Sequence, residues 1–405
     1  MSFFKDRLIS NARLSRAAIE TGLAKYILYD RFTGKQWRPL YLDDLAEESN
    51  EARRERPLST KVLADVVEAL IGAAYCDGGI SKALSCIGLF VHEQEWSDIS
   101  KQRQMLYDDH IDSGPRSNVL EPLEELIGYT FQKQSLLVEA MTHASFVTTR
   151  GGGRSLERLE FIGDAVLDKI IVTRLFAAQP PLTHDRMHTL KSALVNGDFL
   201  AFLSLEYSLL KQEPNVTEDL LLESKEIRTP VWKFMRHAST AIGLEQAATE
   251  ENHRKLRSQI LEEIEKAAYY PWALLARMQA RKFFSDLIEA VLGAVWIDSG
   301  SLVPCQAILE RLGIFAYLDR ILRDGVQAQH PKELVGKYAV NKKVKYEMDV
   351  VETESGEREF FCTLHIGDRP VTRVGDGLSR EEVQVKAAAE AVRILDAERV
   401  AMQTD

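Results

Sequence analysis

The chain has 405 residues, 45% hydrophobic and 28% charged, which is the balance of globular proteins and leaves room for two or three domains. No apolar run reaches the roughly 20 residues of a membrane span, and residues 1–10 lack the apolar core of a secretory signal, so no membrane partner is expected. Cys76, Cys86, Cys305 and Cys362 are scattered without paired spacing, which points to a reducing compartment, cytoplasm or nucleus. The net charge of −10 argues only weakly against a nucleic-acid partner, because clustered carboxylates can themselves be a metal site and basic strips can be local.

In chain order, RLISNARL at 7–14 is followed by VLADVVEALIGAAYCDGG at 62–79. Val62, Val66, Ala69, Leu70, Ala73 and Ala74 recur at helical spacing and predict a helix, with Asp77-Gly78-Gly79 supplying the turn that ends it. Residues 97–118 are polar, contain Gly-Pro and read as an interdomain linker. The helix expected from Leu156 to Phe176 has Ser155 as a plausible cap. ALVNGDFL at 193–200 resembles the segment at 7–14, and FFSDLIEAVLGAVWIDSG at 283–300 repeats 62–79 at a distance of 221 residues. The chain therefore reads as a tandem repeat whose first copy is expected to start in mid-domain, because only six residues precede its 7–14 segment.

Between the two parts of the second copy, about 211–280 reads as a charged insertion with helical pieces, Asn252 to Ala268 among them. From about residue 329 the pattern changes. A short helix at 331–340, strands at VKYEMDVVE, REFFCTLHIG and RPVTRVGDG, and a final helix from Ser379 predict a small α-β-β-β-α module. Cys362 and His365 form a CxxH pair, for which zinc would need two further ligands nearby. The expected domains are 1–96, a linker at 97–118, 119–320 with its insertion, and 329–397.

Glu157, Glu160 and Asp164 fall at i, i+3 and i+7 of one helix, and Asp286 and Glu289 at i, i+3 of another. The interleaved Leu159, Phe161, Ile162, Val166 and Leu167 imply a partly buried face, where stacked carboxylates repel unless a cation neutralises them. Magnesium suits such a set, since it takes few carboxylates and keeps waters for phosphate. A solvated acidic helix face is the competing reading of these residues alone.

ERLEFIGDAVLDKII at 157–171 resembles the signature of the ribonuclease III family. LLVEAMTHASF at 136–146, the ALVN segment and FSDLIEAVLGAVWIDSG at 284–300 are similar to its other segments, in the same order. The resemblance implies a mainly α fold, with all-helical ribonuclease III domains, one partial and one complete, before a double-stranded RNA-binding-like α+β module. It implies metal-assisted cleavage of double-stranded RNA to 5′-phosphate ends, with Glu160, Asp164, Asp286 and Glu289 as catalytic, metal-binding carboxylates and Glu157 in support. The implied cofactor is Mg2+, with Mn2+ able to substitute. Lys191 is either a phosphate contact or a plain surface lysine. The arrangement resembles the C-terminal part of Dicer-like proteins of RNA silencing, fungal ones in particular.

Asp65 and Glu68 match Asp286 and Glu289, but nothing upstream matches Glu160 and Asp164. The first site is thus expected to be degenerate and the first copy to serve as a pseudo-dimer partner; a homodimer through the second copy is the other arrangement. The rival reading is a non-catalytic silencing accessory, or an inert fragment of a longer chain.

The last module resembles double-stranded RNA-binding domains, which set basic residues of the final helix's first turn against phosphates. Here Ser379 is followed by Arg380, Glu381, Glu382, Val383 and Gln384, so Arg380 and Lys386 are the remaining basic candidates. Residues 331–395 carry 11 Lys and Arg against 12 Asp and Glu. Weak RNA binding or a partner-binding role is expected.

Overall fold

The computed structural model describes residues 2–27, 58–92, 96, 98–112, 118–150, 153–216, 222–352 and 358–404. It divides into two compact units, 1–105 and 106–405. Among the described residues no helix is long and apolar enough to cross a membrane.

In the first unit, α1 (Ser2–Ile9) leads into α2 (Asn11–Glu20), whose cap Ser10 accepts from the Arg13 N–H at 3.3 Å. The long α3 (Thr60–Ile87) begins at Ser59, which accepts from the Val62 N–H, and it breaks at Gly79, where φ is +68°. Leu14, Ala17 and Ala18 of α2 pack on Leu63, Ala64 and Val67 of α3. The helix expected from the apolar spacing is present, and of its apolar residues Val62, Ala69, Leu70 and Ala73 are exposed. Their counterparts in the second copy are buried against a helix that has no equivalent among the described residues of the first unit.

The second unit begins within α4 (Ile99–Asp108), which occupies part of the span expected to be linker. The residues after it are anchored. His110 pairs with buried Glu139 at 2.8 Å, and the Asp112 carboxylate accepts from the N–H groups of Gln134 and Ser135. Polar residues there serve as partners and caps for neighbouring helix ends rather than as solvated chain.

Next come α5 (Glu121–Ile127), α6 (Gln134–Ala140), α7 (Ala144–Arg150), α8 (Glu157–Phe176), α9 (His184–Leu194) and α10 (Gly197–Glu206). The start of α8 differs from expectation: its cap position is Leu156, and the Ser155 hydroxyl bonds the Glu157 carboxylate instead of a backbone N–H.

The insertion contains more than helix. Strands β1 (Ser208–Val216) and β2 (Leu222–Pro230) form an antiparallel hairpin with Ser208 opposite Pro230, ahead of α11 (Thr240–Lys266) and α12 (Trp272–Arg277). Buried Arg320 donates to the carbonyls of Ile264 and Ala267 and so caps the C-terminus of α11. Helix α13 (Lys282–Ser299) forms the centre of the unit, with Leu287, Ala290, Leu292, Ala294 and Val295 fully buried. Around it, α14 (Leu302–Arg311) and α15 (Ile314–Asp324) complete the helical layer.

The C-terminal module follows the expected order: α16 (Pro331–Tyr338), β3 (Val344–Glu352), β4 (Arg358–Ile366), β5 (Arg369–Gly377) and α17 (Arg380–Thr404). The antiparallel sheet has order β3-β4-β5, and its inner face sets Cys362 and Leu364 against Val383, Ala387 and Ala391. Cys362 and His365 do not share a site. Three residues along a strand place them on opposite faces, and His365 sits 3.2 Å from Glu347.

Candidate metal centre

Helices α8 and α13 cross so closely that neither tolerates a side chain at the contact. A Cβ on Gly163 would lie 1.7 Å from the Glu289 carbonyl oxygen, and one on Gly293 would lie 2.2 Å from that of Leu159. Two helices can approach in this way only through residues lacking Cβ. Glu160 and Asp164 flank Gly163 in α8, while Glu289 and Asp286 lie one turn apart on α13, so the crossing carries acids from both helices to one place.

The first turn of α8 is set by its neighbours. The Leu156 N–H donates to the Thr142 carbonyl at 2.9 Å, and Arg236, beyond the hairpin, donates through its guanidinium to the Thr142 hydroxyl. The backbone closes the same junction, with the Arg236 N–H donating to Met141 and the His143 N–H to the Arg236 carbonyl. His143 stands edge-on to Phe283, and burial holds its imidazole below the ordinary pKa.

Carboxylate oxygens of Glu160, Asp286 and Glu289 lie within 4.8 Å of one another. Asp164 is near enough to raise the proton affinity of Glu289. Burial, then the charges of Asp164, Asp286 and Glu160, push Glu289 from 4.5 up to about 8. Asp286 is also raised, chiefly by burial, although Lys282 opposes the shift. The Lys282 ammonium donates to Glu160 at 2.9 Å and to Asp286 at 2.6 Å, bridging the two helices.

Below pH about 4.5 Glu289 is protonated whether folded or not, so its shift contributes nothing to the pH dependence of stability there. Between about 4.5 and 8 the unfolded chain has released a proton that the folded chain keeps, and rising pH lowers stability. Glu289→Gln removes this slope. In metal-free buffer its Tm advantage over the parent is expected to widen from about pH 5 to about pH 8 by calorimetry. A difference that stays constant across that range would contradict it.

The remaining expected residues are dispersed. Glu157 is exposed and bonded to Ser155. Lys191 pairs with Asp168 at 2.6 Å, one helical turn beyond Asp164. In the first unit Asp65 is exposed and paired with Lys61, and Glu68 is exposed. Arg380 is exposed, and the Lys386 ammonium donates to the Gly375 carbonyl.

Lys282 was not singled out by the acid pattern. It was nevertheless legible in the repeat: Lys61 precedes Asp65 by four residues as Lys282 precedes Asp286, and both pairs form ion pairs.

The profile of the Ribonuclease III domain matches residues 1–79 and 157–300, together more than half of the chain. The profile of the double-stranded RNA-binding domain of Dicer-like protein 2 matches residues 324–405. Dicer-like protein 2 of Pyricularia oryzae is 42% identical, over 97% of this chain and 28% of its own length. That of Cryphonectria parasitica is 41% identical, over 98% and 29%. The chain thus spans under a third of the length of these curated relatives. The solved nuclease domain of ribonuclease III from Campylobacter jejuni aligns over 48% of this chain and 96% of its own, at 22% identity and a TM-score of 0.31. By the extent of the domain match, the chain belongs to the ribonuclease III family.

Proposed function

We propose that this chain supplies a divalent-metal-dependent endoribonuclease site for double-stranded RNA, centred on Glu160, Asp164, Asp286 and Glu289. The observation that carries the reading is the converged acid set, in which Glu289 holds its proton to about 8 in the absence of a cation. Hard oxygen ligands on two rigid helices fit Mg2+, with Mn2+ as its substitute. Glu160, Asp286 and Glu289 would hold the ion, with Asp164 beside them. When bound, such an ion polarises a phosphate oxygen and makes an attacking water more acidic.

The chain's own groups do the rest. The α8–α13 crossing keeps the carboxylates in place without a reorganisation step. Lys282, exposed at the rim and bonded to two of the acids, offers a positive charge to an arriving phosphate. Asp65 and Glu68 of the first unit have no pair of acids beside them among the described residues, which supports a single working site. The substrate partner is double-stranded RNA. The nuclease domain pairs either with the first unit or with a second copy of the chain.

Incubating the purified chain and Mg2+ with duplex RNA labelled on each strand in turn tests both parts. Cleavage leaving 5′-phosphate ends is expected, with one strand nicked per binding event if a single site works. Absence of cleavage over a range of Mg2+ and Mn2+ would defeat the proposal; equal cutting of both strands by a monomer would defeat the single-site part.

A further inference from the structure

The first turn of α17 is the place that resemblance assigns to RNA phosphate, yet in this chain Ser379 and Glu382 there are held by protein, while Arg380 is exposed. Arg277, the last residue of α12, donates to Glu382 at 3.2 Å and to the Asp376 carboxylate at 2.7 Å, and it also reaches the Asp376 carbonyl. The Glu382 side chain is 1% exposed, and its second oxygen accepts from the Leu378 N–H at 2.9 Å. Next to it, the Gln279 amide donates to the Ser379 hydroxyl at 3.1 Å.

The contact continues along the helix as far as Asp396. Val385 of α17 is buried in the core of the nuclease domain, and Tyr269 of the nuclease domain packs into the core of the C-terminal module. The Tyr269 hydroxyl donates to Asp396 at 2.6 Å, and Trp272 meets His330 edge-on at 4.8 Å. A buried carboxylate facing a guanidinium is complementary to another part of the protein and repels phosphate.

We propose that the N-terminal turn of α17 is an intramolecular dock for α12, closed by Arg277 on Glu382 and Asp376, and does not contact RNA phosphates. Glu382 and Asp376 are then the chemistry of the dock. The module rides fixed on the nuclease domain, and whatever grip the chain has on duplex RNA comes from other surfaces. This reading does not rest on the catalytic proposal, because both tests below are made without cleavage.

Hydrogen exchange on the full chain tests the dock. Arg277→Glu is expected to speed exchange of the amides at 378–386 by about tenfold or more while those of α8 and α13 keep their protection, and adding Glu382→Arg is expected to bring the rate back to within about threefold. If Arg277→Glu unfolds the nuclease core, Glu382→Gln, which removes only the charge, gives the same reading. Exchange at 378–386 unaffected by either variant would overturn the dock.

Duplex RNA binding in chelator tests the second half. Arg380→Glu is expected to leave affinity within about twofold and the salt slope unchanged. A loss of about tenfold with a slope reduced by about one would show that this turn grips phosphate after all.

Discussion

Glu289→Gln is expected to lower single-turnover cleavage of duplex RNA by about a thousandfold or more, equivalent to about 4 kcal/mol of transition-state stabilisation. The substitution is unusually clean. Glu289 already carries a proton below about pH 8 in the metal-free protein, so the neutral amide reproduces its charge and nearly its shape. The fold should therefore survive while the site loses an anionic oxygen for the cation. Glu160→Gln is expected to cost as much activity, but it also takes away one of the two anionic partners of Lys282. Quenched-flow cleavage of an end-labelled duplex, with metal-free Tm measured alongside, separates loss of chemistry from loss of fold. Activity within tenfold of the parent would remove Glu289 from the site.

Gly163→Ala is expected to destabilise the second unit by about 3 kcal/mol or more, because the new methyl would lie 1.7 Å from a backbone oxygen that has no room to move. In a unit of this size that amounts to a fall in Tm of about 6 to 12 °C. Gly293→Ala meets a similar obstacle on the other side of the crossing. Gly72 is the matched control: it occupies the position of Gly293 in the first copy, within α3, and a Cβ there meets nothing within 4 Å. Gly72→Ala should be neutral or stabilise by up to about 1 kcal/mol through helix propensity. Calorimetry of the three variants decides the matter; equal effects at Gly72 and Gly163 would mean that the tight crossing is not what those glycines serve.

Much of this protein was legible as spacing. The i, i+3 acids on α8 and α13 follow from helical geometry, and β3, β4 and β5 from alternation, since one face of that sheet is buried and the other wet. The β1–β2 hairpin was not legible in the same way. Its strands, SLLKQEPNV and LESKEIRTP, are too polar for an apolar period of two, so nothing distinguished them from a charged insertion.

Local sequence thus determined which residues form helices and strands and which acids share a face. That is so because backbone periodicity acts over a few residues. Tertiary structure alone decided which faces are covered. The stripe of α13 is buried against α8 while the same stripe of α3 stays exposed, although the two sequences repeat one another. It also brought Glu160 to Asp286 through two glycines far apart in the chain, and it turned Glu382 onto Arg277. Each of those outcomes depends on what packs across the gap, and that is set by segments distant in sequence.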